Sequence, residues 1–207
     1  MHELYTAPLP EVLCELMRRF YALGWVSGTG GGISLKDPEG GYWLAPSGVH
    51  KELLSPDDLF RFEDDLESCT EPKNGGKLTE CFPLFQTIFR ARGAGAVIHS
   101  HSIWTALATR VCPGDFEIVD FEMQKGISGH GVFSPLRVPI IENTEREPEL
   151  TGALGEALAR DERTYAVLVR GHGVYIWGDD WKQAKRHAEC YDYLFRAKVE
   201  LARLGQA

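Results

Sequence analysis

GAGAVIHSHS, residues 93–102, is the stretch whose reading decides the fold. Its apolar run is short and follows two glycines, which predicts a buried strand rather than a helix. Two histidines stand at the carboxyl end of that strand. Residues two apart on a strand point to the same face, so His99 and His101 can offer two imidazoles to one ion. A pair of hydrogen-bonded core or surface histidines is the plain alternative, and a metal reading therefore calls for a third ligand.

Two histidines share one local form, Gly129-His130-Gly131 and Gly171-His172-Gly173, in which flanking glycines let the backbone turn sharply or approach a ligand. Context separates them. His172 directly follows the apolar run AVLV, which anchors it, whereas His130 lies in GISGHGVFSP, a loop-like segment. His172 is the expected third ligand. Three neutral imidazoles with an open fourth position make a catalytic zinc site, which polarises a carbonyl and supports a developing enolate. His2, His50 and His187 have no such setting and read as structural or solvent-facing.

Outward from this centre, helices and strands are interspersed. From Pro10 the apolar positions Val12, Leu13, Leu16, Met17, Phe20 and Tyr21 recur at helical spacing, and Gly24 marks the stop. ISLKD and YWLAPS flank the turn PEGG as two strands of a hairpin. Asp64 to Lys77 is polar and carries Pro and Gly, so it reads as a surface loop inside the domain. Thr79 is placed to cap a helix through LFQTIFRA. LTGALGEALARD reads as helix, AVLVRGHGVYIWG as a second apolar run, and a long helix closes the chain from about Asp180 to Leu204. This order predicts one α/β domain over residues 1–207, a sandwich with a largely antiparallel sheet.

Lys and Arg total 22 against 30 Asp and Glu, a net charge of -8, so neither nucleic acid nor an anionic membrane is an expected partner. Five scattered cysteines without a C-x-x-C pair suit a reducing compartment, and the amino terminus has neither a basic start nor an apolar core. A cytoplasmic, unprocessed protein is the expectation. In so acidic a chain an anionic substrate needs a local cradle. Ser27-Gly28-Thr29-Gly30-Gly31-Gly32 can form a nest of backbone N–H groups beside the Thr29 hydroxyl. Ala45-Pro46-Ser47-Gly48 can add a hydroxyl and Lys51 a charge; plain turns are the alternative for both loops.

Taken in order, GTGGGIS, APSGVHKE, TECFPLF, AVIHSHS and LVRGHGVYIWG resemble the class II aldolase family from about Leu13 to Leu204. The resemblance implies a three-layer α/β/α sandwich around a mainly antiparallel sheet. It also implies one zinc ion per subunit on His99, His101 and His172, and a substrate phosphate held near Thr29, Gly32, Ser47 and Gly48. Many sugar-phosphate aldolases of the family carry Asn where this chain has Gly32, so only backbone donation remains there. Their catalytic Glu aligns with Cys81. Glu80 is one place out of register and is turned away by about 100° on a helix.

With FEMQKG, PIIENT and ECYDYLF, this departure makes the chain resemble the dehydratase branch of the family, closest to its animal-type members. That branch implies zinc-assisted loss of water from a phosphorylated, methylthio-bearing keto-sugar of methionine salvage. Glu122 would be the catalytic acid/base and Cys81 would line the substrate site; a homotetramer with sites at subunit interfaces is also implied. Without the resemblance, Glu122 reads as an acid at a helix start and Cys81 as a core residue. The rivals are an aldolase or 4-epimerase using the same zinc, disfavoured by Cys81, and an adducin-like interaction module, disfavoured by the three histidines.

Overall fold

The computed structural model describes residues 3–206; His2 lies outside them. The chain runs α1 (Leu9–Ala22), β1 (Gly32–Lys36), β2 (Tyr42–Leu44), β3 (Phe60–Phe62), β4 (Cys69–Thr70), α2 (Phe82–Arg92), β5 (Ala96–Ser100) and α3 (Ile103–Val111). It continues through β6 (Phe116–Ile118), β7 (Leu136–Val138), β8 (Ile140–Ile141), α4 (Thr151–Arg160), β9 (Ala166–Val169), β10 (Gly173–Gly178) and α5 (Trp181–Arg203). Eight strands form one sheet in the order β4-β3-β2-β1-β5-β10-β9-β8, while β6 and β7 pair separately. Within the large sheet only the short β8–β9 pair is parallel.

The central strands are buried on both faces, and alternate residues enter two cores. Ala96, Ile98, Leu168, Val174 and Ile176 pack with α1, α3 and α5; Val97, Val167, Val169, Tyr175 and Trp177 pack with α2 and α4. The molecule is therefore a three-layer α/β/α sandwich with a mainly antiparallel sheet. Burying each large apolar side chain contributes about 1.5–3 kcal/mol, so both faces of the sheet are committed. His99 shares the face of Val97, and the α2–α4 layer stands over it.

The chain's own chemistry ends its helices. The Asp180 side chain accepts from the Gln183 N–H at 2.7 Å and opens α5; Gly93, at φ 60°, closes α2 in the left-handed conformation. Two local expectations are refined. Cys81, rather than Thr79, is the residue before α2, and the Thr79 hydroxyl instead accepts from the Cys81 N–H at 3.3 Å. The polar stretch from Asp64 to Lys77 contains the two-residue strand β4, because its backbone pairs with the edge of β3.

AVLVRGHGVYIWG folds back on itself as β9 and β10, with His172 in the turn between them. Gly171 makes that turn at φ 66°, a left-handed conformation in which any side chain would be strained. Between β6 and β7 a long loop carries Glu122 and His130. It is tied to α5 by Arg186, whose Nε donates to the Gly126 carbonyl at 2.9 Å, and by His187. His187 is fully buried, bonds the Trp177 carbonyl through Nδ1 at 2.8 Å and accepts from the Ser128 N–H through Nε2 at 3.2 Å. Burial pushes its pKa down, so it is a neutral structural imidazole.

Candidate metal centre

β5 delivers His99 and His101, and the β9–β10 turn delivers His172. Tyr175 lies opposite His99 in the β5–β10 register and stacks on its ring, centroids 4.1 Å apart and planes within 5°. The His99 Nδ1 lies 3.2 Å from the Val174 carbonyl, which can only accept, so Nδ1 carries the proton and Nε2 is a bare lone pair. His172 Nδ1 contacts Asn143 Oδ1 at 3.1 Å in the same manner. The backbone N–H of His101 donates to the Trp25 carbonyl at 2.7 Å and fixes the third ring from its main chain.

The three Nε2 atoms converge. His101 Nε2 is 2.8 Å from His99 Nε2 and 3.1 Å from His172 Nε2. A fourth group joins them: Glu147 Oε1 lies 2.9 Å from His99 Nε2 and 3.4 Å from His172 Nε2. Burial, and then its two histidine neighbours, pushes the His101 pKa down to about 3, so this ring is neutral at ordinary pH. Burial works to raise the Glu147 pKa, but the His172 and His99 rings beside it outweigh that and hold the carboxyl below its usual range. Three imidazole lone pairs and a carboxylate oxygen thus face one another with too few protons to separate them. A divalent cation between them removes the repulsion, and three nitrogens with one oxygen suit zinc. The donor set fits the metal.

Glu147 opens the 3-10 turn Glu147–Leu150 and was not singled out from sequence. Glu142, Glu145 and Glu149 surround it, and nothing in their spacing marks one of them as a ligand. Its other oxygen accepts from the Cys81 thiol at 2.9 Å, and the Tyr175 hydroxyl donates to Oε1 at 3.3 Å. Burial pushes the Cys81 pKa well up, and the Glu147 charge adds to it, so Cys81 is a thiol and donates.

A cleft of about 270 Å³ opens above this centre, lined by Thr29, Gly30, Gly31, Ser47, Lys51 and Cys81 among others. Thr29, Ser47 and Cys81 thus border the cleft above the four-atom cluster. Gly32 and Gly48 do not line it. Gly32 is a residue of β1 opposite His99, and the left-handed conformations of the loop belong to Gly28, Thr29 and Gly31. The Ser47 N–H is engaged by the Lys77 carbonyl at 2.8 Å, so Ser47 offers the cleft its hydroxyl. Lys51 is fully buried, its ammonium donating to the Pro46 carbonyl at 2.7 Å.

Glu80 borders the same cleft, but it pairs with Arg146 at 3.7 Å and is no part of the four-atom cluster. His130 bonds the Ser128 carbonyl through Nδ1 at 3.1 Å and is not in the cluster either. Glu122 is exposed, ion-pairs with Lys125 at 2.9 Å and is not among the residues lining this cleft. His50 is exposed, beside Glu52.

The model of the class II aldolase and adducin N-terminal domain matches residues 11–199. The chain belongs to the class II aldolase and adducin family. Among its relatives, the methylthioribulose-1-phosphate dehydratase of Aquarana catesbeiana is 50% identical over 204 residues, covering 94% of this chain and 85% of the relative. The protein of Arabidopsis thaliana named "Probable bifunctional methylthioribulose-1-phosphate dehydratase/enolase-phosphatase E1" is 46% identical over 210 residues and 94% of this chain. The chain spans about two fifths, 41%, of that plant relative. Among solved structures, YgbL from Escherichia coli superposes with a TM-score of 0.79 at 21% identity, over 93% of this chain and 89% of its own. L-fuculose-1-phosphate aldolase from Thermus thermophilus superposes with a TM-score of 0.68 at 24% identity, over 99% and 97%. Both show the family's fold in this chain. No helix among the described residues is long and apolar enough to cross a membrane.

The two Gly-His-Gly segments now separate by position, and metal analysis after dialysis checks them. His172→Ala is expected to lose bound zinc and His130→Ala to retain it; the reverse result would reassign the third ligand. The opening loop separates in the same way. A Cβ on Gly30 would sit 2.5 Å from His101 Nδ1, whereas one on Gly32 meets nothing nearer than 3.9 Å. Gly30→Ala is expected to weaken zinc binding by about tenfold or more through the displaced ring, and Gly32→Ala to leave it within about twofold. Equal zinc affinities in the two variants would remove this contact from the site.

Proposed function

We propose that the chain is a zinc-dependent hydro-lyase of methionine salvage. It converts 5-methylthioribulose 1-phosphate to 2,3-diketo-5-methylthiopentyl 1-phosphate. The observation that carries this reading is the 50% identity to a dehydratase that matches this chain along most of both lengths. The buried Cys81 thiol supports it, because a thiol with a raised pKa is a poor substitute for the carboxylic acid that a carbon–carbon cleavage of this kind uses.

When bound by His99, His101 and His172, zinc supplies Lewis-acid polarisation of the C2 carbonyl, which makes the C3 proton acidic. The chain's residues do the rest. Thr29 and Ser47 offer hydroxyls to the phosphate from the two loops that border the cleft. Lys51 gives that acidic cleft a buried cation, and its fixed side chain loses little freedom on binding. The C3 proton and the C4 hydroxyl leave together as water, and the resulting enol tautomerises to the diketone.

Glu122 is assigned the proton delivered to the leaving C4 hydroxyl. Because Glu122 lies off the cleft of its own chain, this assignment calls for a neighbouring copy in a homo-oligomer, a tetramer on the family's pattern, to bring it to the site.

Turnover of methylthioribulose 1-phosphate by the zinc-loaded protein, read as appearance of the diketone, tests the activity. Cleavage into two fragments would make it an aldolase instead. Glu122→Gln keeps size and polarity but has no proton to give, and turnover is expected to fall by about a hundredfold or more with zinc retained. Co-expressing it with His172→Ala is expected to restore part of the rate, since some sites then draw an intact Glu122 from one copy and an intact metal from another. Near wild-type turnover in Glu122→Gln would remove its role.

The phosphate end gives a pH signature. Burial pushes the Lys51 pKa down to about 8, so its cation is present below that pH and is lost as the pH rises through it. The free-enzyme profile of kcat/KM is expected to fall across that range. Lys51→Met should flatten that limb and raise KM by about ten- to a hundredfold, the equivalent of one charged hydrogen bond. An alkaline limb that persists in Lys51→Met would place the titration elsewhere.

A further inference from the structure

We propose that Glu147 is the fourth protein ligand of the metal in the resting site, and that Cys81 is the positioning residue that holds it there. The proposal rests on the metal reading of this site and is independent of the substrate's identity.

The geometry points to it in three ways. Glu147 Oε1 sits within 3.4 Å of two imidazole nitrogens whose protons are committed on the far side of each ring, to Val174 and to Asn143. A carboxylate oxygen opposite such lone pairs is repelled unless a cation lies between them. The carboxylate is also aimed by two donors, the Cys81 thiol on Oε2 and the Tyr175 hydroxyl on Oε1. Tyr175 in turn is locked by its stacking on His99, so the carboxylate and the histidine are positioned by the same side chain. A group oriented through both oxygens is built like a metal ligand with its supporting shell.

By the family resemblance, Cys81 stands where the sugar-phosphate aldolases carry their catalytic glutamate. A glutamate there, as in the aldolases, projects two carbons further than cysteine. The cysteine is too short to take such a place, and instead it reaches the carboxylate of a residue 66 positions later in the chain. The acid has moved to another element, and position 81 has become its support. The consequence is a centre with four protein ligands at rest. Catalytic zinc sites ordinarily leave one position to water; with a metal held by the three histidines, Glu147 would take that position.

The test uses the full chain loaded with cobalt(II), whose visible absorption reports the ligand set, together with zinc titration and far-UV circular dichroism as a check on folding. Glu147→Gln is expected to change the cobalt spectrum and to weaken zinc binding by about tenfold or more. Glu147→Asp, which keeps the charge but is one carbon shorter, should show the same spectral change if reach is what matters. Cys81→Ala should shift the spectrum in the same direction and weaken zinc by about tenfold, and Cys81→Ser, whose hydroxyl still donates, should recover the wild-type spectrum.

A folded Glu147→Gln protein with unaltered spectrum and zinc affinity would overturn the ligand assignment. A Cys81→Ala protein indistinguishable from wild type in both would overturn the positioning role. Failure of the unmutated chain to bind zinc or cobalt(II) would overturn the metal reading itself, a failure distinct from the other two.

Discussion

The register of β5 between β1 and β10 is the constraint on which the site depends. His99 lies opposite Gly32 on one side and Tyr175 on the other, and its Nδ1 proton is given to the carbonyl of Val174. That single hydrogen bond sets the tautomer, and the tautomer decides that Nε2 faces the cluster as a lone pair. Side chains alternate along a strand, so a slip of one residue would carry His99 to the opposite face, among α1, α3 and α5. The two faces of β5 are fitted to different cores, and the cost of repacking Ala96, Val97 and Ile98 into the wrong ones is what keeps the ligand in place.

Two buried imidazoles in this chain show how surroundings, not burial, separate a ligand from a structural histidine. His187 and His99 are both without solvent exposure. Each nitrogen of His187 meets a partner of the opposite kind: the Trp177 carbonyl on one side, the Ser128 N–H on the other. It needs nothing more, and it anchors the loop that carries Glu122. His99 is satisfied on one side only. Its second nitrogen faces two further imidazoles and a carboxylate, an arrangement that only positive charge makes stable.

The wider electrostatics follow the same logic. The chain is acidic, and its cleft is bordered by Glu80, Glu145 and Glu147. Against these stand the cation expected at the four-atom cluster and the buried ammonium of Lys51. Lys51 and the metal proposed at the cluster would together give an anionic substrate its positive charge. At position 81 of this chain a thiol donates to the Glu147 carboxylate rather than supplying an acid of its own.

Much of the fold was legible in the chain itself. The apolar run before His99, the hairpin around PEGG, the helical spacing after Pro10 and the cap at Asp180 are local signals, and each follows from periodicity or turn chemistry. The separation of His172 from His130 was legible too, because a ligand after a buried run is held and one in a glycine-rich loop is not. Glu147 was not legible: its role depends on meeting Cys81 and His99 across long stretches of chain, and four acids in ENTEREPE look alike until the 3-10 turn orients one. The burial of Lys51 and the place of Gly30 rather than Gly32 against His101 were equally out of reach, since both depend on how two loops pack over the end of β5. The sequence by itself determined the opening hairpin, the strand before His99, the helices α1, α2, α4 and α5 and three of the four groups at the centre, because those are written in local pattern. Tertiary structure alone decided the fourth group, its thiol support and the floor of the cleft, because only packing brings donors from distant elements within a hydrogen bond of one another.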